Sequence, residues 1–282
     1  MAEPFFPKER LIILGGGHVA LPVAEFGARV GFLVTVVDDR LSFANPGRFP
    51  MAEKVICDDF GHAIKELKIQ ESDYICIVTR GHRHDADCLR MIGKGKEPAY
   101  LGMIGSRRRV GIVKQELLEE GYDPERMSRL KSPIGLKIGG VTPEEIAISI
   151  LAEIIQVKRM DREDKRVKNR SDLDFDVLKR LAEEPDESKA VVTVIESKGS
   201  SPRGAGAKMI VYRDGRILGS IGGGCSEAAV LGEARSLIGS GRYKVVHVDL
   251  TGEAAEDEGM VCGGIMDVLV EDFATDREPC DR

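Results

Sequence analysis

The first half of the chain alternates short apolar runs with stretches of helical periodicity. Apolar runs that predict buried strands lie at Leu11 to Leu14, Val34 to Val37 and Tyr74 to Thr79, and Gly102 to Ile104 indicates another. Strands that alternate with helices are typical of a parallel sheet covered by helices. The first half is therefore predicted to be an α/β domain built on a Rossmann-like parallel sheet.

A long amphipathic helix is predicted to close this domain. It runs from Glu144 to about Met160, with Thr142 as its N-cap. The composition then shifts to charged residues, which predicts a partly helical linker. We place the boundaries at residues 1–160 for the Rossmann-like domain, 161–188 for the linker and 189–276 for a second domain.

The second domain is predicted to be a smaller α+β unit that begins with strands. Alternating apolar residues predict strands at Ala190 to Ile195 and at Tyr243 to Asp249, and the pair Asp214-Gly215 predicts a hairpin. Ala228 to Ile238 has the periodicity of a helix. A last strand is expected from Ile265 to Glu271.

Composition restricts the class of protein. The 282 residues are 42% hydrophobic and 31% charged, and the formal net charge is −6, which indicates a globular protein without a broad nucleic-acid surface. No apolar run approaches the ~18 residues of a membrane span, and the N-terminus lacks a signal-peptide pattern. Six cysteines without Cys-x-x-Cys spacing argue against zinc-ribbon and thioredoxin motifs. We expect a cytoplasmic protein that binds neither nucleic acid nor membrane.

A glycine turn of the dinucleotide-binding type follows the first predicted strand. Gly15, Gly17 and Ala20 have the G-x-G-x-x-A spacing, and Asp38 ends the second strand about twenty residues later. Such glycines allow close approach to a pyrophosphate, the helix N-terminus attracts negative charge, and the acidic residue can hold ribose hydroxyls. His18 could donate to a phosphate or cap the helix. The motif predicts a site for NAD(P) or another adenine nucleotide.

Two further loops follow predicted strands. His82 and Asp85 come after the third strand, where they could form a general-base pair, belong to an incomplete metal site, or lie in a plain loop. Ser106 and Arg107 lie in a Gly-Ser-Arg turn, which is either an anion site or the solvated start of a basic helix. Ligands of doubly wound folds gather at the carboxyl edge of the sheet, where the first pair is expected.

The second domain places cysteines among glycines. Gly222, Gly223 and Gly224 precede Cys225, and Cys262 is followed by two more glycines. Glycine N–H groups can line an anion site, and a helix start favours the thiolate, so Cys225 is a candidate nucleophile or soft-metal ligand. The alternative for Cys225 is a small buried apolar residue.

Other polar residues complete or border this pattern. Ser201 and Arg203 supply a hydroxyl and a permanent cation in the loop upstream, so the sequence predicts a phosphate-binding pocket with thiol ligands. Glu227 is interpreted as an ordinary first-turn helix charge. The remaining cysteines near strands and helices are interpreted as packing residues: Cys57, Cys76 and Cys88.

Together these motifs resemble the xanthine dehydrogenase accessory, or XdhC/CoxI, family. The segments similar to its small domain are Gly199–Gly204, Gly222–Cys225 and Cys262–Gly264. Those similar to its Rossmann domain are Gly15–Val19, Asp38–Arg40, His82–Asp85, Gly102–Arg107 and Thr142–Ile146. The commoner family arrangement has the cysteine domain first, so this chain resembles a member with the two domains in swapped order.

The resemblance implies a maturation factor, rather than a turnover enzyme, for molybdenum hydroxylases. Such a chaperone would bind the molybdenum cofactor, as molybdopterin or its dinucleotide form. It would hold the cofactor while a cysteine desulfurase supplies the terminal sulfur. It would then insert the cofactor into the apoenzyme of a xanthine dehydrogenase or aldehyde oxidoreductase type of hydroxylase.

The resemblance also implies roles for the site residues. Cys225 and Cys262 would contact or protect the molybdenum centre, or transiently hold the transferred sulfur, while Ser201, Arg203 and Gly222–Gly224 would anchor the pterin phosphate. The Rossmann turn with Asp38 would bind the nucleotide part of a dinucleotide cofactor, or a separate adenine nucleotide.

Two alternatives use different parts of the sequence. The Rossmann motif alone favours an NAD(P)-dependent oxidoreductase with His82 as acid/base, which leaves the two glycine-flanked cysteines without a role. The charged linker favours a structural adaptor that joins a desulfurase to a hydroxylase without any small ligand. A homo-oligomer is expected through exposed sheet edges or exchange across the linker.

Overall fold

The computed structural model describes residues 8–160, 173–185, 187–199, 203–249 and 264–273. The chain divides into two compact units, one formed by Pro4–Arg170 and one containing Ser171–Arg282. Within the described ranges, no helix has both the length and the apolar character that crossing a membrane requires.

The first unit contains a five-stranded parallel sheet. Its strand order is β3-β2-β1-β4-β5, and the chain changes its direction of travel across the sheet between β1 and β4. This pair therefore marks the topological switch point, where ligands of doubly wound folds bind. The strands are β1 Arg10–Leu14, β2 Leu33–Asp38, β3 Lys54–Cys57, β4 Tyr74–Ile77 and β5 Tyr100–Met103.

Helices cover both faces of this sheet. Leu11 and Ile13 of β1 pack into one apolar cluster, whereas Ile12 and Leu14 pack into another on the opposite face. This alternation is what a two-residue strand period produces when both faces are buried. The helices are α1 Ala20–Arg29, α2 Phe60–Leu67, α3 His82–Gly93, α4 Arg107–Glu119, α5 Pro124–Arg129 and α6 Pro143–Met160.

The start of α6 confirms its predicted N-cap. The backbone N–H of Glu145 donates to Thr142 Oγ1 at 3.3 Å, and the Glu145 carboxylate accepts from the Thr142 N–H at 3.0 Å. This reciprocal pair is a capping box, which satisfies two N–H groups that the helix itself leaves open.

The second unit contains a five-stranded antiparallel sheet with the order β8-β7-β6-β10-β9. The α/β and α+β fold classes of the two units are as predicted. The strands are β6 Lys189–Gly199, β7 Lys208–Tyr212, β8 Ile217–Gly219, β9 Tyr243–Asp249 and β10 Gly264–Phe273, and the helices are α7 Phe175–Glu183 and α8 Gly224–Leu237.

The two helices of this unit pack against the sheet. Val230 and Ala234 of α8 lie in the main apolar cluster, whereas Val177 of α7 packs with Ile210 and Tyr212 in a separate one. Helix α7 falls within residues 161–188, which the composition marks as a linker. Helix α8 begins at Gly224, four residues before the predicted start at Ala228, so Cys225 and Glu227 lie in its first turn.

Candidate functional site

The glycine turn lies between β1 and α1, at the switch point of the first sheet. A Cβ atom on Gly15 would lie 2.5 Å from the carbonyl oxygen of Val78, and one on Gly16 would clash with the carbonyl oxygen of Phe43. These two glycines are therefore required by the close approach of neighbouring backbone. Gly17 differs, because, apart from Gly17 and its two neighbours in the chain, no heavy atom of the described residues lies within 4 Å of the position that a Cβ atom would occupy. Gly17 faces open space.

Asp38 braces this turn. Its carboxylate accepts from the backbone N–H of Gly16 at 2.8 Å and from the Arg40 N–H at 3.0 Å. The Arg40 guanidinium donates to it twice more, at 2.8 and 2.9 Å. A carboxylate has about four acceptor positions, and these four N–H groups fill them. Asp38, only 1% exposed, therefore holds the glycine turn to the end of β2 instead of presenting a free acceptor for ribose.

Asp39 and Arg80 join the ends of β2 and β4. Both terminal nitrogens of Arg80 donate to the Asp39 carboxylate, one of them at 2.7 Å. The hydrogen bond from Arg80 lowers the pKa of Asp39 from 3.8 to about 2. This ion pair spans 41 residues of sequence and ties the two loops together across the carboxyl edge.

Arg48 and Phe43 of the loop after β2 also contact the glycine turn. The Arg48 guanidinium donates to the carbonyl oxygens of Gly16 and Gly17 at 3.3 and 3.4 Å. The Phe43 ring packs against two guanidinium groups, with the central carbon of Arg40 at 3.7 Å and that of Arg48 at 5.4 Å from its centroid. The loop after β2 therefore brings Arg48 to Gly16 and Gly17 and holds Arg40 against the same ring.

Asp85 occupies the first turn of α3 and is fully buried. Its carboxylate accepts from the Thr79 hydroxyl at the end of β4 and from the guanidinium of Arg109 on α4. It therefore connects three elements at the carboxyl edge. His82 begins α3, so its backbone lies one turn before Asp85.

The Gly-Ser-Arg turn after β5 leads into α4. Ser106 caps this helix, with its hydroxyl oxygen 3.3 Å from the backbone nitrogen of Arg109. A cavity of about 420 Å³ adjoins the turn. Its lining includes Ser106 and Arg108 together with Arg109, Ile112 and Glu116, while Arg107 is exposed beside it.

The predicted residues of the first unit therefore follow β1, β2, β4 and β5 at one edge of the sheet. His18 is exposed in the turn before α1. The basic cluster Arg107–Arg109 was expected to meet a phosphate or a carboxylate, and Arg109 does pair with the Asp85 carboxylate. The sequence did not predict the contacts of Arg48 and Arg80, because their partners lie 32 and 41 residues away. For Arg40, the only signal available was its position, two residues after Asp38.

In the second unit, the glycine turn before α8 already surrounds an anionic group. One carboxylate oxygen of Glu227 accepts from the backbone N–H groups of Gly223 at 2.9 Å and Ile221 at 3.3 Å, and from the Ser220 hydroxyl at 2.7 Å. Gly222 and Gly223 have positive φ angles of 138° and 72°, which glycine adopts readily. The turn is an anion nest, and Glu227 is its internal occupant.

The other predicted residues of this site are placed only in part. Cys225 lies in the first turn of α8, directly after the glycine turn. Arg203 is half-buried. Ser201 and Cys262 lie outside the described residues. Within the described ranges, no group of three or more His, Cys, Asp or Glu side chains is arranged to hold a metal ion.

The cysteines of the first unit divide into two kinds. Cys76 and Cys88 are buried, and burial raises the pKa of both thiols well above the ordinary value. They are packing residues, as predicted. Cys57 ends β3 and is exposed, so its interpretation as a packing residue is wrong.

Comparisons with known proteins cover both units. Residues 11–154 match the sequence model of the XdhC Rossmann domain, and residues 182–249 match that of the XdhC and CoxI family. A solved structure from Bacillus halodurans, described as a xanthine dehydrogenase, superposes with a TM-score of 0.52 at 34% sequence identity. That superposition covers 58% of this chain and 48% of the other.

Three curated relatives share parts of the chain. Escherichia coli K12 YqeB, an uncharacterized protein, is 37% identical over 152 residues, or 54% of this chain and 28% of its own length. A Bacillus subtilis 168 protein named as a probable subunit of xanthine dehydrogenase is 34% identical over 153 residues, covering 54% and 44%. The molybdenum cofactor insertion chaperone PaoD of Escherichia coli K12 is 40% identical over 74 residues, covering 26% and 23%. Each match spans less than half of the relative.

Proposed function

Because this chain belongs to the XdhC family, we propose that it is a maturation factor for a molybdenum hydroxylase. It binds the molybdenum cofactor, as molybdopterin or its dinucleotide form, and holds it while a cysteine desulfurase supplies sulfur. It then inserts the cofactor into the apoenzyme of a xanthine dehydrogenase or aldehyde oxidoreductase type. The matches to the XdhC and CoxI model and to a relative named as a molybdenum cofactor insertion chaperone support this role.

One observation in the structure carries the proposal. The turn before α8 is built to hold an anion, since Glu227 already places a carboxylate oxygen against the N–H groups of Ile221 and Gly223. Cys225 follows this turn at once. A phosphate on the cargo would take the place of the Glu227 carboxylate in the nest, and a thiol suits a thiophilic metal.

The remaining roles are proposed from the sequence motifs. Cys225 and Cys262 contact or protect the molybdenum of the cargo, or hold the sulfur during transfer. Arg203 and Ser201 neutralise and bind the pterin phosphate together with Gly222–Gly224. The role proposed for Ser201 and Cys262 rests on the sequence motifs alone.

The Rossmann unit supplies a nucleotide site. Gly17 lies at the switch point and faces open space, with His18 beside it. The nucleotide part of a dinucleotide cofactor, or a separate adenine nucleotide, binds there. Asp38 acts indirectly, because its carboxylate is used to brace the turn. His82, Asp85, Ser106 and Arg107 border the same edge of the sheet.

Co-elution of molybdenum and pterin with the full chain on gel filtration tests this proposal. The wild type is compared with Cys225→Ser and Cys262→Ser, and Cys57→Ser is the matched control because it removes an exposed thiol of the other unit. We expect the wild type and the control to retain the cofactor and either site variant to lose it. The elution volume also reports the oligomeric state.

Activation of a molybdenum hydroxylase apoenzyme by the loaded protein is the second measurement. Cys225→Ser should abolish activation while the protein stays folded, and unchanged activation would remove the thiol from the mechanism. If the wild type binds no cofactor but binds a nicotinamide nucleotide, the oxidoreductase hypothesis replaces the chaperone.

A further inference from the structure

Two arginines of the loop after β2 supply positive charge near the glycine turn. Arg40 and Arg48 both pack against Phe43, and Arg48 also donates to the carbonyl oxygens of Gly16 and Gly17. Arg48 therefore lies directly beside the turn that a ligand would approach, and Arg40 packs against the same ring and binds Asp38, which braces the turn. Both side chains are partly exposed.

The usual acceptor for a ribose diol is not offered here. In a Rossmann unit the acidic residue that ends the second strand holds the ribose hydroxyls, and a nearby arginine instead suits a phosphate on the ribose. All four acceptor positions of Asp38 are filled by Gly16 and Arg40, and its side chain is 1% exposed. A ribose diol therefore finds no free carboxylate at Asp38, whereas Arg40 and Arg48 are present in the loop that follows.

The local charge also favours a phosphate. Asp38 offsets the charge of Arg40, and Asp39 pairs with Arg80, but Arg48 makes no ion pair with any part of the chain that the structure describes. Helix α1 adds to this effect, because Val19 at its N-cap makes no side-chain cap and its first turn contains no acidic residue. The N–H groups of that turn and Arg48 together favour a group with two negative charges.

We propose that Arg40 and Arg48, mounted on Phe43, form a clamp above Gly17 that selects ligands ending in a phosphate monoester over ligands ending in a ribose diol. This inference rests on the proposed nucleotide role of the Rossmann unit and specifies its ligand. A monoester carries nearly two negative charges at neutral pH, whereas a diester carries one. The 2′-phosphate of an adenine dinucleotide is such a monoester, whereas the pterin phosphate is assigned above to the turn before α8.

One matched pair of probes tests the clamp. NADP⁺ and NAD⁺ differ only by the 2′-phosphate monoester. Binding of each probe to the full chain is measured by calorimetry in a phosphate-free buffer at low salt. We expect NADP⁺ to bind about tenfold more tightly than NAD⁺, and added salt to reduce this preference.

Variants of the two arginines test the assignment. Arg48→Gln should reduce the monoester preference to near unity with little effect on folding, since its hydrogen bonds to the turn are long. Arg40→Gln should do the same but also loosen the turn through Asp38. Arg29→Gln is the control, because Arg29 lies at the opposite end of α1 and pairs with Glu25.

The outcomes separate this inference from the proposed function. Equal affinity for NADP⁺ and NAD⁺, no binding of either, or a preference that persists in both arginine variants would overturn the clamp. Molybdenum co-elution that depends on Cys225 would stand in each of those cases. Loss of co-elution with an intact monoester preference would overturn the chaperone role and leave the clamp.

Discussion

The carboxylate of Glu227 accepts a hydrogen bond from the backbone N–H of Gly223 at 2.9 Å, within the same turn that a cargo phosphate would enter. The Glu227 side chain therefore has two effects. It stabilises the glycine turn, and it competes with any external anion for the same N–H groups.

Glu227→Ala should destabilise the second unit and strengthen its binding of inorganic phosphate. The variant leaves the N–H groups of Ile221 and Gly223 without their acceptor, at a cost of about 1–3 kcal/mol in the free energy of unfolding. Urea titration measures the first effect and calorimetry the second. Glu233→Ala on the same helix removes a surface ion pair with Lys244 and should change neither measurably. Tighter phosphate binding by the wild type than by Glu227→Ala would contradict the competition.

Alanine substitutions at the three glycines of the turn between β1 and α1 should separate effects on the free energy of unfolding from effects on nucleotide binding. Gly15→Ala should cost about 1–3 kcal/mol in the free energy of unfolding, because Gly15 has a φ of 111° and its Cβ would meet Val78. Gly16→Ala should also destabilise the unit through Phe43. Gly17→Ala should leave the urea midpoint unchanged and weaken nucleotide binding. A destabilised Gly17→Ala would show that the space beside it is not open.

Asp85→Ala should cost about 1–3 kcal/mol in the free energy of unfolding, because it removes the buried acceptor of the Thr79 hydroxyl and the partner of Arg109, whose side chain is 31% exposed and keeps access to water. Native-state hydrogen exchange of the first unit measures this loss. Asp87→Ala is the matched control two residues away, since Asp87 is half-exposed and its pair with Arg90 lies at the surface; it should cost less than about 1 kcal/mol. Equal losses in the two variants would show that the burial of Asp85 does not increase the contribution of its ion pair to the free energy of unfolding.

The ion pair between Asp39 and Arg80 predicts a pH dependence. The pKa of Asp39 falls from 3.8 to about 2 in the folded protein, so this pair stabilises the fold above pH 4 and its contribution is lost as the pH falls towards 2. Carboxyl ¹³C NMR should give a midpoint near 2 for the wild type and a midpoint closer to 3.8 for Arg80→Gln. Arg29→Gln should not move the midpoint. A wild-type midpoint near 3.8 would rule out the pair in solution.

Local sequence patterns were sufficient for several elements. The strand Tyr243–Asp249 has the bounds that its apolar alternation predicts, and the box formed by Thr142 and Glu145 fixes the start of α6. Strand β3 was not predicted, because it has four residues and is only partly buried, so its apolar signal is short. Helix α8 starts four residues before the predicted start, and its N-cap is Gly223, which has a φ of 72°.

The sequence patterns did not predict hydrogen bonds and ion pairs between residues that are far apart in the chain. The motif placed Asp38 at the end of the second strand, but its partner Gly16 lies 22 residues away and only the fold brings them together. Asp85 and Arg109 are 24 residues apart. Glu227 was interpreted as an ordinary helix charge, since nothing in its spacing shows that it turns back to the N–H groups before its own helix.

The brace at Asp38 changes how related sequences should be compared. An acidic residue after the second strand is usually taken as a sign of ribose binding, but an arginine two positions later can take up the same carboxylate from within the loop. An Asp-x-Arg tripeptide at that point thus indicates that the acidic residue braces the turn and is not a ribose acceptor. Sorting homologues by the presence of this tripeptide would separate two kinds of Rossmann unit. In one kind the carboxylate is free to bind ribose, and in the other it is bound by groups of the protein itself.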